Sequence, residues 1–569
     1  MRWTLKPKPD ETLVAELSGR LGVPSTIAYL LVQRGIKTFA EAKKFFRPSL
    51  DDLHDPFLMQ DMRQAVDRIN LAIKNGENIL VYGDYDVDGT TSVALMRSYL
   101  EAQGAAVASY IPDRYTEGYG VSIQGIDFAH DNDMALIVAL DCGIKAKEKV
   151  AYANKLGIDF IICDHHRPGP EIPDCVAVLD PKREDCNYPY DELCGCGVGF
   201  KLIQALHQCQ DLPVTTLVPY LDLVATAIAA DIVPITGENR VLAHFGLEVI
   251  NTLPRNGIKA LIDNVNKKEL TITDVVFIVA PRINAAGRIK HGLHAVELLI
   301  EEDFDMACAM ASGIEGLNTE RKDLDAQITK EALAQIEELK EQERKTTVVF
   351  GESWHKGVIG IVASRLIETY YRPTLVFTKS GEKLAASARS VKGFDVYEAL
   401  EGCAEHIEQF GGHKYAAGLT LLEADYEKFK QKFEEVVSTT IPQHLLTPEI
   451  SVDLELEFDE VNPKFYRILR QFAPFGPGNM TPVFMSTDLR DTGYGKCVGA
   501  DDLHLKCTVV QHGVPGQYQG PSFGAIGFNL GSKCGLIERQ KTFKAVYSID
   551  LNEWQGNVSL QLKLRDIQE

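Results

Sequence analysis

No stretch of eighteen uninterrupted apolar residues occurs in the chain, so a transmembrane helix is not expected. The first residues, Met1-Arg2-Trp3-Thr4-Leu5-Lys6-Pro7, lack the apolar core of a secretory signal. A cytoplasmic protein is the expectation. There is no Gly-rich loop of the Walker type, so nucleotide-driven motor chemistry is not proposed. No Ser or Cys sits in a recognisable nucleophile motif, which leaves water as the expected nucleophile. The 12 cysteines are scattered. Cys194-Gly195-Cys196 is the one tight pair, and no second pair completes a zinc site. All are read as reduced thiols. Internal repeats and low-complexity tracts are absent. Basic residues are in deficit: 59 Lys and Arg against 80 Asp and Glu give a net charge of −21. That balance argues against whole-surface attraction to nucleic acid. It leaves room for a polyanionic substrate, because bound metals invert the local field and a groove can be basic under an acidic exterior.

What is present is ordinary for a soluble globular protein, with 45% hydrophobic and 24% charged residues. At 569 residues the chain exceeds one core, and about three or four domains are expected. Residues 1–60 read as a helical lead-in. Residues 61–304 begin as alternating strand and helix through Asp180, which implies right-handed crossovers and a doubly wound parallel sheet. They then turn mostly helical. Residues 305–345 are long, charged and helix-favouring, a connecting helix. A second α/β unit spans 346–449. Residues 450–569 carry short alternating strands between Gly-rich turns, which suggests a small β-barrel.

Three acidic clusters follow apolar strand-like runs: Gly83-Asp84-Tyr85-Asp86-Val87-Asp88-Gly89, Asp141-Cys142-Gly143 and Asp164-His165-His166. Ligands of an open parallel sheet collect outside the carboxyl ends of its strands, so the clusters converge on one crevice. Crowded carboxylates raise one another's pKa, and a cation removes that penalty. An isolated Asp88-Gly89 would read as a solvated turn. Three equivalent strand ends favour a metal. Carboxylates with imidazoles suit Mn²⁺ or Zn²⁺, whereas an all-oxygen set suits Mg²⁺ or Ca²⁺. Five or six candidate ligands fit two ions, which at about 3.5–4 Å apart clamp both oxygens of a phosphoryl displacement. Asp231 ends an apolar run of small residues before Pro234; by chemistry alone it is a cap, a turn residue or a ligand.

These clusters resemble the signature motifs of the DHH phosphoesterase family, named for a triplet like Asp164-His165-His166. Four further stretches are similar to family motifs: Tyr110–Arg114 with Gly118–Gly120, Pro281–Arg288, His355–Ala363, and Phe410–His413 with Ala416–Gly418. The resemblance runs from about residue 28 to the end. It implies a DHH catalytic domain over 61–304, a DHH-associated (DHHA1) domain over 346–449 and an OB-type barrel over 450–569. It implies Asp86, Asp88, Asp141, His165 and Asp231 as metal ligands, with Asp84 and His166 close by. It further implies a 5′→3′ exonuclease that releases mononucleotides from single-stranded DNA with Mn²⁺ or Mg²⁺, in DNA repair and recombination. A single-strand-binding protein and a helicase are among the expected partners. One departure is Gly478-Asn479-Met480, where the family has Gly-Asn-Pro.

Candidate substrate contacts fall in several segments. Arg282 and Arg288 flank Asn284 in a loop-like run, and a guanidinium suits phosphate oxygens as well as it suits a structural salt bridge. Gly357 precedes a predicted helix; an anion site and tight packing are equal readings. Ser387 and Arg389 suit a terminal phosphate. Gly412 allows close backbone approach, and His413 suits a phosphate or a base. Tyr115 and Tyr119 are stacking or packing residues. Phe484, Phe523, Phe528 and Trp554 are barrel aromatics, more often core than platform. Two rival functions are a phosphoesterase of small substrates, which would have no use for a barrel, and a non-catalytic replication scaffold, which would have an eroded ligand set.

Overall fold

Continuous runs of Val, Ile and Leu suit strands covered on both faces. The structure, a computed structural model describing residues 1–511, 520–538 and 542–569, forms them into a five-stranded all-parallel sheet. Its strands are β1 (Asn78–Gly83), β2 (Ala106–Tyr110), β3 (Met134–Leu140), β4 (Asp159–Cys163) and β5 (Ala177–Leu179), in the order β2-β1-β3-β4-β5. Helix α1 (Val87–Ala102) leaves β1 and packs on α2 (Gly195–Gln208) and α3 (Leu221–Ala230). A π-helical turn at Val275–Val279 leads into α4 (Ala280–Ile289). The run Arg282–Arg288 is therefore helical, not loop-like. Pro281 fits the first turn, where its missing N–H is not needed.

Helix α5 (Phe304–Glu338) is 35 residues long, about 50 Å at 1.5 Å per residue. Its Ile328, Ala332 and Ile336 share a core with α6 (Ile359–Thr369) and with Trp354. The second sheet holds β6 (Thr347–Gly351), β7 (Thr374–Ser380), β8 (Lys383–Arg389), β9 (Gln409–His413) and β10 (Ala416–Leu422), ordered β9-β10-β8-β7-β6. Only β6–β7 is parallel there. Both sheets belong to one compact unit, residues 54–233 and 245–448.

The other unit comprises residues 1–53, 234–244 and 449–569. Its strands are β11 (Leu454–Glu455), β12 (Phe484–Asp491), β13 (Lys496–Val498), β14 (His504–Gln511), β15 (Ser522–Gly527), β16 (Phe543–Trp554) and β17 (Asn557–Gln568). The cycle β12-β16-β17-β15-β14 closes through a β12–β14 pairing, an OB-type barrel. Phe484 and Phe523 are core, Phe528 is exposed, and the Trp554 side chain lies outside the described residues. The N-terminal helices Glu11–Leu21 and Ser25–Gln33 are not a separate body. Their Leu17, Ile27 and Leu30 are buried in one core with Phe458, Phe465 and Phe472. The expectation of twelve free thiols is corrected at one pair. Cys497 and Cys534 form a disulfide with their Cα atoms 6.2 Å apart, because β13 and the start of the short helix Cys534–Glu538 meet at the barrel edge. No described helix is long and apolar enough to cross a membrane.

Candidate metal centre and substrate contacts

Sheet register builds the site. Gly83, Leu140, Cys163 and Leu179 lie side by side across β1, β3, β4 and β5. The next residues, Asp84, Asp141, Asp164 and Asp180, thus form a row of four aspartates along the carboxyl edge. All four are buried, with neighbouring strands about 4.8 Å apart. Like charges at that spacing repel, and the fold settles only one of the four.

Asp164 is that one. Its Oδ1 accepts the N–H groups of His165 (2.8 Å) and His166 (3.1 Å) and faces His166 Nδ1 at 2.7 Å, while Oδ2 accepts Ile144 N–H at 2.9 Å. Burial opposes its charge, but the His166 ring and the backbone donors outweigh burial and hold it at about 2. It positions the two histidines and has no orphaned oxygen. The others are different. Asp84 accepts Gly120 N–H at 3.2 Å on one oxygen, and Oδ2 has no partner. Asp141 sits at φ 58°, and its Oδ1 receives no hydrogen bond. Burial first, then Asp86 for Asp84 and Asp88 for Asp141, push both well above the carboxylate range. Asp180 is pushed up to about 7, mainly by burial.

The first turn of α1 supplies Asp86 and Asp88. Asp86 caps the helix by accepting Gly89 N–H at 3.0 Å. Asp88 points into the N-terminus of α2 and accepts the N–H groups of Gly195 and Cys196, each at 2.7 Å. That helix end favours an anion, yet burial and Asp86 still push Asp88 up to about 7. The small-residue run Cys194-Gly195-Cys196 is explained here: a Cβ at Gly195 would stand 2.5 Å from that of Asp141. Asp231 ends α3, and partial desolvation followed by Asp88 and Asp86 pushes it up to about 8, although its side chain is 35% exposed and solvent screens part of that effect.

His165 Nε2 lies 3.2 Å from Asp141 Oδ1, 3.7 Å from Asp231 Oδ2 and 3.8 Å from Asp88 Oδ2. Burial and the neighbouring His166 push it down to about 3, so its imidazole is neutral. Two overlapping triads result. Asp88, His165 and Asp231 offer ligand atoms within 4.8 Å of one another, and so do Asp141, His165 and His166. Buried carboxylate oxygens without donors beside a neutral imidazole are what a hard-to-borderline divalent cation requires. His166 is the positive edge of the group. Burial opposes its proton, but Asp164 outweighs it and lifts the ring to about 9, with Nε2 3.0 Å from the Tyr119 hydroxyl. Tyr119 is thus engaged with His166.

The predicted substrate residues separate. Arg288 donates to the Gly357 carbonyl at 2.9 Å, and Tyr115 OH donates to the Arg288 carbonyl. Burial, then the charges of Arg114, Arg389 and Arg321, push Arg288 down to about 9. Arg114 stacks 4.1 Å over the Tyr85 ring. Ser387 Oγ accepts from Arg389 Nη1 at 3.1 Å, and both side chains meet the start of α6 at Gly360. Asn284 lies one turn before Arg288 on α4 and is half-buried. Gly287 lets α4 approach the metal loop, since a Cβ there would stand 2.5 Å from the Tyr85 carbonyl. His413, at the end of β9 beyond Gly412, is within electrostatic reach of His166, Arg389 and Lys145. Two residues do otherwise than a phosphate contact requires. Arg282 is paired with Glu315 of α5 at 2.5 Å. Gly357 directs its N–H at His355 Nδ1 (3.2 Å), and a Cβ there would strike the Arg288 carbonyl at 2.6 Å, which is close packing. Sequence reasoning missed Arg114 as a site residue, although its position just beyond β2, a strand end of the same sheet, was a usable signal.

Comparison with known proteins agrees with this architecture. The DHH family N-terminal domain matches residues 78–228, the DHHA1 domain residues 342–439 and the RecJ OB domain residues 452–566. The single-stranded-DNA-specific exonuclease RecJ of Bacillus subtilis is 36% identical over 572 residues, covering 100% of this chain and 70% of that protein. Its namesake in Salmonella typhimurium is 34% identical over 583 residues, covering 98% and 97%. The crystal structure of Thermus thermophilus RecJ in complex with Mn²⁺ superposes with a TM-score of 0.83 at 27% identity, covering 100% of this chain and 79% of that one. With the three domains in that order and this identity along its whole length, the chain belongs to the RecJ family of DHH-domain proteins.

Proposed function

We propose that the protein is a single-stranded-DNA-specific exonuclease. It works 5′ to 3′ and releases mononucleotides by phosphodiester hydrolysis with two divalent cations, Mn²⁺ or Mg²⁺. The observation that carries this reading is the meeting of orphaned buried carboxylate oxygens with a neutral imidazole at one sheet edge, beside arginines that lack acidic partners among the described residues. The relatives' names supply the substrate class, and the Thermus neighbour was solved with Mn²⁺.

Asp86, Asp88, Asp141, His165 and Asp231 would hold the cations, with Asp84 beside them. Bound there, divalent cations supply Lewis-acid polarisation of a phosphate and a lowered pKa for water. The rest is the work of the chain. Asp164, bonded to His166 Nδ1, holds the ring doubly protonated, so it presents positive charge beside the reacting phosphate. Arg114, Arg288 and Arg389 draw in the terminal phosphate, with Ser387 and His413 as further donors. Asn284 orients the strand beside Arg288. Under 5′→3′ polarity the terminal group is a 5′-phosphate. Gly357 and Gly412 serve by letting backbone come close, and Arg282 by holding α4 to α5.

The same proposal assigns residues 61–304 to the catalytic domain, 305–345 to the connecting helix, 346–449 to the DHHA1 domain and 450–569 to the OB domain, with 1–60 as lead-in. It sets the protein in the cytoplasm, in DNA repair and recombination, with a single-strand-binding protein and a helicase as partners. The test is one digestion of end-labelled single- and double-stranded DNA with Mn²⁺ or Mg²⁺. Stepwise mononucleotide release from the 5′ end of single strands is expected. Internal cuts, or preference for dinucleotides, would replace this reading with that of an endonuclease or a small-substrate phosphoesterase.

A further inference from the structure

The row of strand-end residues does not stop at the metal ligands. Strand β5 pairs with β4 as far as Leu179 opposite Cys163, and residue 182 lies in the turn just beyond β5, as residue 166 lies just beyond β4. Residue 182 is Lys182, in the run Asp180-Pro181-Lys182-Arg183. The backbone is gripped on both sides of it. Asp180 Oδ1 accepts the Lys182 N–H at 2.8 Å. Arg183 is buried and clamped by Asp61 (2.7 Å), by both Asp185 oxygens (2.8 and 2.6 Å) and by the Val178 carbonyl (2.6 Å). Lys182 itself is half-buried, and its ammonium forms no ion pair among the described residues. That ammonium bears electrostatically on His165, Asp231 and Asp180. Its backbone is fixed and its ammonium acts on two carboxylates without pairing with either, which leaves that charge available to a ligand.

Its place in the sheet says what. Arg114 follows β2 at one end of the order β2-β1-β3-β4-β5, and Lys182 follows β5 at the other. The metal ligands lie between them. Four strand spacings of about 4.8 Å separate the two ends. A polyanionic strand crossing the carboxyl edge meets Arg114 on one flank of the centre and Lys182 on the other. Resting on the function proposed above, we infer that Lys182 is a substrate-contacting residue, whose ammonium binds a backbone phosphate of the DNA strand on the side of the metal centre away from the arginines. This is the body of the strand rather than its terminal nucleotide. A lysine suits that position: it is a point charge that makes no bidentate demand and lets the strand move on after each cut.

The test is binding without chemistry. A fluorescently labelled single-stranded oligonucleotide is titrated by anisotropy in EDTA, across a series of salt concentrations, with wild type, Lys182→Gln and Lys182→Arg. Loss of one phosphate contact should lower the salt slope by about one and weaken binding about fivefold to tenfold at low salt. Lys182→Arg should keep the slope. In the Mn²⁺-loaded enzyme the Lys182→Gln loss should fall mainly on KM. A single methylphosphonate placed successively along the strand should weaken wild type at one internal position and leave Lys182→Gln unaffected there. A merely structural role would lower the melting temperature of both variants without changing the salt slope. A wild-type slope and affinity in Lys182→Gln would overturn the assignment while the exonuclease reading stands. A wild-type protein that neither binds nor degrades single strands would overturn both.

Discussion

Around the carboxyl edge of the parallel sheet, Asp84, Asp88 and Asp141 crowd negative charge, and Arg114, Arg288 and Arg389 crowd positive charge close by. The two groups share a physical condition. Burial and like neighbours push the aspartates up and Arg288 down, each toward neutrality. Asp84 Oδ2, Asp141 Oδ1 and Arg114 Nε are buried without a partner, and none of the three arginines has an acid in ion-pair distance among the described residues. The contrast with Arg240, in the other unit, shows why the shift alone is not the signal. Burial also pushes Arg240 down to about 9, but its guanidinium donates to the carbonyls of Phe45, Phe472 and Ala473 at 2.9 Å and stacks on the Phe45 ring. That charge is satisfied and structural. Unsatisfied donors and acceptors, rather than perturbed pKa values alone, separate a candidate ligand site from a structural one.

Removing one charge from the acidic group should separate the two groups most strongly. Asp141→Asn keeps the shape and deletes the repelling carboxylate. Hydrolysis should fall at least about a thousandfold, since several kcal/mol of charge stabilisation depend on the ligand set. The metal-free protein should melt no lower than wild type, and the gain normally conferred by Mn²⁺ should shrink. An active variant would remove Asp141 from the centre. On the basic side, Arg389→Ala deletes a half-buried guanidinium without leaving an acid unpaired. A charged hydrogen bond of about 1.5–3 kcal/mol predicts a tenfold to hundredfold rise in KM for 5′-phosphorylated strands. The same substitution should matter less for strands ending in a 5′-hydroxyl.

A third prediction concerns pH. Acids raised in the fold contribute most below their unfolded pKa of about 4, and that contribution is lost as pH rises through the folded values. Those values are about 7 for Asp88 and Asp180 and about 8 for Asp231. The metal-free protein should therefore lose stability between roughly pH 4 and pH 8, by about 2–4 °C or more in melting temperature. Saturating Mn²⁺ should cancel the slope. Melting curves in EDTA that are flat over this window would mean that the carboxylates are already paired.

How much of this was legible in the sequence follows from range. The strands and their acidic ends could be read because a buried parallel strand is a continuous apolar run and its ligands lie immediately after it. Asp231 could not be read from chemistry, because a helix C-terminus bearing one Asp is ordinary and its convergence with His165 is a tertiary fact. The role of Asp164 was hidden for the same reason: a cluster read as ligands contains one residue that orients the others. Arg282 to Arg288 read as a loop because Asn284 and Gly287 are loop formers. Yet Gly287 is there for the Tyr85 carbonyl, a contact no local pattern reveals. The partnership of the N-terminal helices with barrel-side residues near 458–472 spans more than four hundred positions and leaves no trace in either segment alone.

The smallest expected effect is also the most discriminating for the basic group. Arg282 and Arg288 lie six residues apart on one helix and read identically in sequence. Arg282 has an acid, Glu315, at 2.5 Å, and both side chains are partly exposed. A pair of that kind is worth about 0–1 kcal/mol, so Arg282→Ala should change KM less than about fivefold. Arg288 has no acid within ion-pair distance among the described residues, and the charges of Arg114, Arg389 and Arg321 outweigh that of Asp86 on it. Its replacement should behave like Arg389→Ala in KM and should leave metal affinity untouched. If Arg282→Ala and Arg288→Ala lose the same affinity for a 5′-phosphorylated strand, the Glu315 pair opens when substrate binds. The basic group would then be larger than the free protein shows.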